Sequence, residues 1–442
     1  MDKKVGMVSL GCPKNQVDAE IMLKKLVDAG YILVQEADKA DLVIVNTCGF
    51  IEDAKKESID AILEMVDYKE DGMLAKILVT GCLAQRYADE IFAELPEVDG
   101  VIGIGANDDI VAVCDALFES DEPYSAFPDK ENLPLDGGRI LTTPEYTAYL
   151  KIAEGCSNCC TYCAIPSIRG GFRSRKMEDI LEEANMLCEK GVKEIILVAQ
   201  DTTKYGEDLY GELKLPELLG ELNKIEKLQW IRLLYCYPDR ITDELIKAIA
   251  ENEKVCNYID IPMQHADGKI LEAMNRRGDK ESLLKLVEKL RDNVPGIILR
   301  RTFITGFPGE TDEEFTTLSE FVMEAKLDRV GCFAYSREEG TVAYDLPDQV
   351  DPEVAAQRAE IIMEQQYRIA EEKLGGCVGK VFDVLVEGYD PYTDSYYGRT
   401  YMDAPDIDNT IVFTSGYRID DGDIVPVEIF DKDEFSLIGE AI

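Results

Sequence analysis

The sequence has no long hydrophobic run and no secretory leader that can be recognised. Its 442 residues contain no stretch of about eighteen consecutive apolar residues, which a transmembrane helix requires. The opening MDKKVGMVSL lacks the apolar segment and the small-residue cleavage site of a signal peptide. We therefore expect a cytoplasmic protein with no membrane partner. In that reducing compartment its 13 cysteines should be thiols or metal ligands and not a disulfide framework.

Basic residues are scarce. The chain has 47 Lys and Arg against 88 Asp and Glu, a formal net charge of −41. A protein that binds nucleic acid neutralises phosphates with Lys and Arg. Nucleic acid is therefore not expected as a partner unless a local basic patch outweighs the negative net charge. Two explanations of the acidity stay open, namely plain solubility or a basic protein partner. The 46% hydrophobic content excludes a wholly disordered chain.

The length predicts two or three domains, and the pattern predicts an α/β fold class. Residues 1–120 alternate short apolar runs with amphipathic stretches, which indicates a parallel sheet flanked by helices. Residues 121–141 are rich in Pro, Gly and Asp and are interpreted as a linker. Residues 142–373 repeat a strand–helix rhythm six times, which predicts a partial TIM-like (β/α) barrel. Residues 374–442 contain short β-rich runs, which predict a small five-stranded barrel of the oligonucleotide-binding type.

That last segment has the wrong charge for a nucleic-acid module. It contains four basic residues against fifteen acidic ones, a net charge of −11. An acidic barrel favours a basic polypeptide over a nucleic acid.

The stretch EGCSNCCTYC, which follows the predicted strand AYLKIA, holds four cysteines in eight positions. Four thiolates could close around Zn²⁺, but Cys159 and Cys160 would then both have to face one ion from a tight loop. The other interpretation omits Cys159. Cys156, Cys160 and Cys163 then hold a [4Fe–4S] cluster and leave one iron without a protein ligand. We favour the cluster, with zinc as the alternative.

Three more cysteines share one kind of position. Cys12 follows VSLG, Cys48 follows VIVNT and Cys82 follows ILVTG, so each comes directly after a predicted strand. The carboxyl ends of parallel strands meet at one edge of a sheet, where ligands gather. These cysteines could therefore bind a second cluster, or they could be three independent buried thiols.

Other polar residues lie near predicted strand ends. Gln200 and Asp201 close the second barrel strand, as a ligand contact or as a solvated strand end. The single histidine, His265, is expected to make structural hydrogen bonds, with an active-site contact as the alternative. For Arg276 and Arg277 we favour the solvated end of a helix, with contact to a carboxylate of cofactor or substrate as the alternative.

The cysteine loop, with Tyr162 directly before its last cysteine, resembles the radical S-adenosylmethionine superfamily. SLGCPKNQVDAE, NTCGFIEDAKKES and TGCLAQRY resemble the amino-terminal domain of methylthiotransferases, and the domain order, ending in a TRAM domain, is similar over essentially the whole chain. The resemblance implies a transferase with two [4Fe–4S] clusters and two uses of S-adenosylmethionine, as methyl donor and as radical source. It implies the following residues: metal ligands Cys12, Cys48, Cys82, Cys156, Cys160 and Cys163; cofactor contacts Gln200, Asp201 and Tyr162.

The family has two well-known branches. One modifies a tRNA adenosine, and the other modifies the β-carbon of an aspartate in small-subunit ribosomal protein twelve. LVAQDTTKYG and YIDIPMQHADGKILEAMNRRG resemble the second branch, and the acidic barrel agrees with a basic protein substrate. We therefore expect the ribosomal protein as partner, with the tRNA enzyme as the alternative. A non-catalytic iron–sulfur or zinc protein that uses the acidic barrel for interaction is the alternative from another class.

Overall fold

The computed structural model describes residues 3–434 and 436–442. Its first part is a parallel sheet with strand order β2-β1-β3-β4-β5-β6 and helices between the strands. The central strand β3, with the sequence LVIVNT, is buried along its whole length, as expected for a strand covered on both faces. The elements are β1 (Lys4–Ser9), α1 (Pro13–Asp28), β2 (Ile32–Leu33), β3 (Leu42–Thr47), α2 (Glu52–Glu70), β4 (Lys76–Gly81), α3 (Cys82–Glu94), β5 (Gly100–Ile102), α4 (Ile110–Glu119) and β6 (Tyr124–Ala126).

The segment predicted as a linker, 121–141, contains ordered structure that packs against both neighbouring parts of the chain. It supplies β6, which pairs with β5 at the edge of the first sheet, and a 3₁₀ turn at Lys130–Asn132. Arg139 is buried, and its Nη1 donates to Glu20 Oε2 at 2.7 Å. Pro and Gly mark turns but carry no information about a partner strand or a distant carboxylate, which is why composition alone missed this order.

The second part is an open parallel sheet with strand order β7-β10-β11-β12-β13-β14. This confirms the predicted partial barrel. Its elements are β7 (Thr147–Lys151), β8 (Ala153–Glu154), α5 (Ile165–Arg169), β9 (Arg173–Ser174), α6 (Met177–Glu189), β10 (Glu194–Val198), α7 (Glu207–Tyr210), α8 (Leu215–Leu222), β11 (Trp230–Leu233), α9 (Asp243–Glu251), β12 (Val255–Gln264), α10 (Gly268–Ala273), α11 (Lys280–Asn293), β13 (Ile298–Thr305), α12 (Asp312–Ala325), β14 (Arg329–Ala334) and α13 (Pro352–Gly375).

The last part is a closed barrel with strand order β15-β16-β17-β19-β18, which confirms the predicted small β-barrel. Its strands are β15 (Val381–Asp390), β16 (Ser395–Arg399), β17 (Thr410–Thr414), β18 (Ile424–Lys432) and β19 (Ser436–Ala441). The barrel packs on one face of the second sheet, where Ile196 and Val198 share a hydrophobic core with barrel residues Val384 and Phe413. Within the described part of the chain, no helix is both long and apolar enough to cross a membrane.

Candidate active site

The cysteines predicted as the first trio meet at the carboxyl edge of the first sheet. Cys12 follows β1 and caps α1, Cys48 follows β3, and Cys82 begins α3 directly after β4. Strand β3 lies between β1 and β4 in the sheet, so the three loops are neighbours. Cys12 and Cys82 also lie at the amino ends of α1 and α3, where the helix dipole favours a thiolate.

Two glycines allow these loops to approach. Gly11 has φ +87°, and a Cβ built there would lie 2.9 Å from the Sγ atom of Cys48. Gly81 has φ +94°, and its Cβ would lie 2.4 Å from the carbonyl oxygen of Thr47. A side chain at either position would separate the cysteine loops, and both positions need a conformation that glycine adopts freely.

The surroundings of this trio shift the pKa values of its thiols in different directions. Burial, with the charge of Cys82 adding to it, raises the pKa of Cys48 to about 12. Burial also opposes the thiolate of Cys12, but the positive charges of Lys14 and Arg169 outweigh it and lower the pKa of Cys12. Arg169 is fully buried, and its Nη2 donates to the Sγ atom of Cys82 at 3.6 Å. The three thiols are therefore within electrostatic range of one another, and the cations Lys14 and Arg169 lie beside them.

The second trio occupies the loop after β8. The amide of Cys156 donates to the carbonyl of Gly170 at 3.1 Å, and the amide of Cys163 donates to the carbonyl of Cys160 at 3.1 Å. Burial raises the pKa of Cys156 to about 11 and that of Cys163 to about 12, and the nearby charge of Cys160 adds to both. The loop therefore brings these three thiols into electrostatic range of one another.

Cys159 differs from its three neighbours. It is exposed and has φ +51°, a left-handed conformation that is uncommon for a residue with a side chain. Its carbonyl oxygen accepts from the Nδ2 atom of Asn275 at 2.9 Å. The omission of Cys159 from the ligand set stays a prediction.

The predicted cofactor contacts lie around the second trio. Gln200 Nε2 donates to Glu154 Oε1 at 2.8 Å, while Gln200 Oε1 is buried with no hydrogen-bond partner in the described chain. Asp201 is fully buried, and its Oδ2 accepts from Asn158 of the cysteine loop at 2.9 Å. The hydroxyl of Tyr162 accepts from Arg276 Nη1 at 3.2 Å. An unused buried acceptor at Gln200 fits an ammonium donor from a ligand.

Arg276 is not the solvated helix end that the sequence predicted. It is 7% exposed, its guanidinium carbon lies 4.1 Å from the ring centroid of Tyr237, and its Nη1 is 3.8 Å from Cys160 Sγ. Tyr237 OH is itself 3.4 Å from the same sulfur. The cause is Asn275, whose φ of +56° turns the chain inward after α10. Asn at the end of a helix was the signal that could have indicated this turn.

His265 makes the structural hydrogen bonds that were predicted for it. It is fully buried, its Nδ1 accepts from the amide of Asp267 at 2.9 Å, and its Nε2 lies 3.2 Å from Glu310 Oε2.

A buried charge network extends from the first trio to the predicted cofactor contact Gln200, and no sequence pattern had indicated it. Arg169 Nη1 donates to Asp18 Oδ2 at 2.7 Å and to Glu154 Oε2 at 3.0 Å. Lys151 contacts the same two carboxylates. Because Glu154 also accepts from Gln200, a continuous set of hydrogen bonds runs from the sulfur of the first trio through Arg169 to the predicted cofactor contact.

The donor set fits iron–sulfur chemistry. Among residues 3–434 and 436–442, no three His, Cys, Asp or Glu side chains lie close enough together to hold one metal ion. In a [4Fe–4S] cluster each thiolate binds a separate iron, so its ligands stand further apart than around one ion. Two all-cysteine trios, each without a fourth ligand, match clusters that keep one open iron.

Three known sequence families match successive parts of the chain. They are the uncharacterized protein family UPF0004 at residues 4–103, the radical SAM superfamily at 150–322 and the TRAM domain at 378–442. Full-length relatives carry the name ribosomal protein uS12 methylthiotransferase RimO. The protein from Acetivibrio thermocellus is 50% identical and spans 100% of this chain and 99% of its own. That from Pelotomaculum thermopropionicum is 50% identical, with 100% of both chains covered. The chain belongs to the RimO family.

Solved structures show that this RimO-family chain shares its fold with other radical enzymes. The radical S-adenosylmethionine methyltransferase TsrM from Kitasatospora setae, solved with cobalamin and a [4Fe–4S] cluster, has a TM-score of 0.55 at 14% identity and covers 76% of this chain and 75% of its own. The cobalamin-dependent S-adenosylmethionine radical enzyme OxsB has a TM-score of 0.52 at 14% identity, with 83% and 57% covered. At this identity the likeness concerns the fold alone.

Proposed function

We propose that this RimO-family protein is a transferase that inserts a methylthio group at the β-carbon of an aspartate in ribosomal protein uS12. The observation that carries the proposal is the pair of cysteine trios, one at the carboxyl edge of the first sheet and one in the loop after β8. The buried network of Arg169 runs from the first trio to Gln200. Full-length relatives at about 50% identity carry the name of this activity, which favours it over the tRNA alternative.

The protein uses two [4Fe–4S] clusters and S-adenosylmethionine. When bound, these groups supply a radical able to activate an unreactive C–H bond, together with the sulfur and the methyl group. We assign Cys12, Cys48 and Cys82 to one cluster. Cys156, Cys160 and Cys163 hold the other.

The surrounding side chains orient these groups. Glu154 holds the amide of Gln200 so that its free Oε1 can accept a hydrogen bond from the ammonium of S-adenosylmethionine. Asn158 and Arg240, at 2.9 and 3.0 Å, hold the carboxylate of Asp201 at the same strand end. Tyr162 lies beside the loop and completes the proposed cofactor contacts.

The proposed partner is a basic protein. The terminal barrel, with a net charge of −11 over 374–442, would attract the basic ribosomal protein and repel an RNA stem. A ribosomal protein substrate places the reaction in the cytoplasm.

The test is anaerobic reconstitution with iron and sulfide, followed by reaction with S-adenosylmethionine, a chemical reductant and purified uS12 and, separately, with the same reagents and tRNA. Mass spectrometry should find a methylthio group on an aspartate of uS12 and none on tRNA. Replacement of Cys12, Cys48 and Cys82 by alanine should abolish this product while 5′-deoxyadenosine is still formed. Alanine at Cys156, Cys160 and Cys163 should abolish both.

Two results would contradict the proposal. Methylthio product on tRNA instead of uS12 would transfer the assignment to the other branch. Formation of neither product, without cleavage of S-adenosylmethionine by the cluster-loaded protein, would indicate a non-catalytic iron–sulfur protein.

A further inference from the structure

Lys14 is a buried cation without a carboxylate partner. Its side chain is 6% exposed, and in the described part of the chain no Asp or Glu forms an ion pair with it. Its Nζ atom lies 3.5 Å from the ring centroid of Tyr235, and it comes two residues after Cys12. Lysines are rarely buried unless they are paired, and here the partners of the ammonium are the sulfur of Cys12 and the side chain of Tyr235. Neither is a carboxylate, so the ammonium keeps the capacity to bind an anionic ligand as well.

The neighbouring cations are already paired with carboxylates. Arg169 and Lys151 share the carboxylates of Asp18 and Glu154. Asp18 lies one turn after Lys14 on α1 and could have paired with it, but its two oxygens are directed to the other two cations. Of these cations beside the first trio, Lys14 is the one without a carboxylate.

The aromatic ring against which Lys14 packs is that of Tyr235, in the second part of the chain. The backbone of Tyr235 is held in a strained conformation. Tyr235 follows β11 and has φ +58°, which is uncommon for an aromatic residue. Its amide donates to Asp260 Oδ2 at 3.1 Å, and its carbonyl accepts from the amide of Thr202 at 3.1 Å. Thr202 directly follows Asp201, so the ring stands at the strand ends that carry the proposed cofactor contacts. Such strain concentrates at functional sites.

Lys14 therefore lies between the two halves of the proposed site, with Cys12 on one side and the ends of β10 and β11 on the other. We propose that its ammonium binds the side-chain carboxylate of the target aspartate, an inference that rests on the proposed function. The carboxyl carbon of aspartate is bonded directly to its β-carbon, so a cation placed between the two trios meets the carboxylate when the β-carbon lies between them. An ammonium–carboxylate hydrogen bond is charge-assisted and excludes a neutral amide in the same place.

The test compares uS12 with a uS12 variant that carries Asp→Asn at the modified position. Affinity of both for the cluster-loaded protein is measured without reductant, so that no reaction occurs, and methylthiolation is measured separately. The unaltered protein should bind the aspartate form about tenfold or more tightly than the asparagine form. Lys14→Met and Lys14→Gln should lose that preference, and Lys14→Arg should keep part of it.

The matched control is Lys3→Met. Lys3 also lies over an aromatic ring, 4.7 Å from the centroid of Phe118, but at the opposite end of β1. This variant should keep the full preference. Iron content and 5′-deoxyadenosine formation report whether each variant is folded and loaded.

The outcomes separate the two proposals. If the unaltered protein modifies uS12 while Lys14→Met and Lys14→Gln keep its preference for aspartate, this inference is wrong and the proposed function stands. If the unaltered protein does not modify uS12, the proposed function fails and this inference fails with it.

Discussion

Two adjacent cysteines have opposite environments. Cys159 is exposed in a left-handed conformation, whereas the sulfur of Cys160 lies 3.4 Å from Tyr237 OH and 3.8 Å from Arg276 Nη1. A hydroxyl and a guanidinium are thus directed at the sulfur of Cys160, whereas the side chain of Cys159 is exposed. The backbone turn at Cys159 thus determines which thiol enters the site.

This difference gives a prediction for cluster content. Cys159→Ala should keep about eight irons per chain after reconstitution, while Cys160→Ala should lose one cluster and fall to about four. Iron and sulfide counting, with absorption spectra, measures the result. Equal losses in both variants would mean that Cys159 is a ligand.

Helix α1 buries polar residues where an ordinary amphipathic helix buries apolar ones. Its buried polar residues are Lys14, Asn15, Asp18 and Glu20. Asn15 Oδ1 accepts from Arg169 at 3.0 Å, and Glu20 pairs with Arg139 at 2.7 Å. The buried polar face is therefore an interface between the first part of the chain and the second, through Lys151 of β7, Arg139 and Arg169.

Removing Arg169, the central cation of that interface, should lower the stability of the folded protein. Arg169→Met leaves Asp18 and Glu154 buried with only Lys151 to neutralise them, and we expect the free energy of unfolding to fall by about 3–5 kcal/mol. A urea titration of the metal-free protein, followed by circular dichroism, measures it.

Arg418→Met is the control for this change. The side chain of Arg418 is 90% exposed and pairs with Asp420, and such a surface pair contributes about 1 kcal/mol at most. A loss for Arg169→Met no larger than that of the control would contradict the structural role given to the network.

The carboxylate of Glu194 is one of the groups that connect the terminal barrel to the second sheet. Glu194 begins β10 and is fully buried, and it accepts from Arg399 of the barrel at 2.7 Å and from Arg232 of β11 at 2.8 Å. Burial alone would raise its pKa, but Arg399 and Arg232 outweigh burial and lower the pKa from 4.5 to about 2. The ionised form is therefore the one that the folded protein stabilises.

This shift predicts a pH dependence. Because the folded pKa lies below the unfolded one, the stabilisation is fully present above about pH 4.5 and is lost as the pH falls towards 2. A shift of this size corresponds to roughly 3 kcal/mol. Glu194→Gln should lower the free energy of unfolding by about that amount at pH 7, and the difference from the unaltered protein should shrink towards pH 2.

Urea titrations at several pH values measure this difference. Glu428→Gln, at an exposed position of β18, is the control and should show a small difference. A Glu194→Gln difference that stays constant from pH 7 to pH 2 would contradict the prediction.

At the scale of the whole molecule, local patterns determined a large part of the architecture. Short apolar runs alternating with helical stretches are typical of parallel sheets, and the position of a cysteine directly after a strand determines the edge at which it emerges. The open second sheet and the closed terminal barrel could therefore be predicted, because each depends on residues close together in the chain. The position of Cys12, Cys48 and Cys82 after strands was local in the same way, but their assignment to one cluster came from the family resemblance and stays a prediction.

The contacts between these parts were decided by the tertiary structure alone. Arg169 and Asp18 are 151 positions apart, and Arg399 and Glu194 are 205 apart. No periodicity links residues at such distances, so the buried polar face of α1 and the lack of a carboxylate partner for Lys14 were not predictable. The sequence by itself determined which groups the protein carries to its sheet edges, and packing determined which of those groups meet, because ion pairs in a low-dielectric interior depend on position in space and not on spacing along the chain.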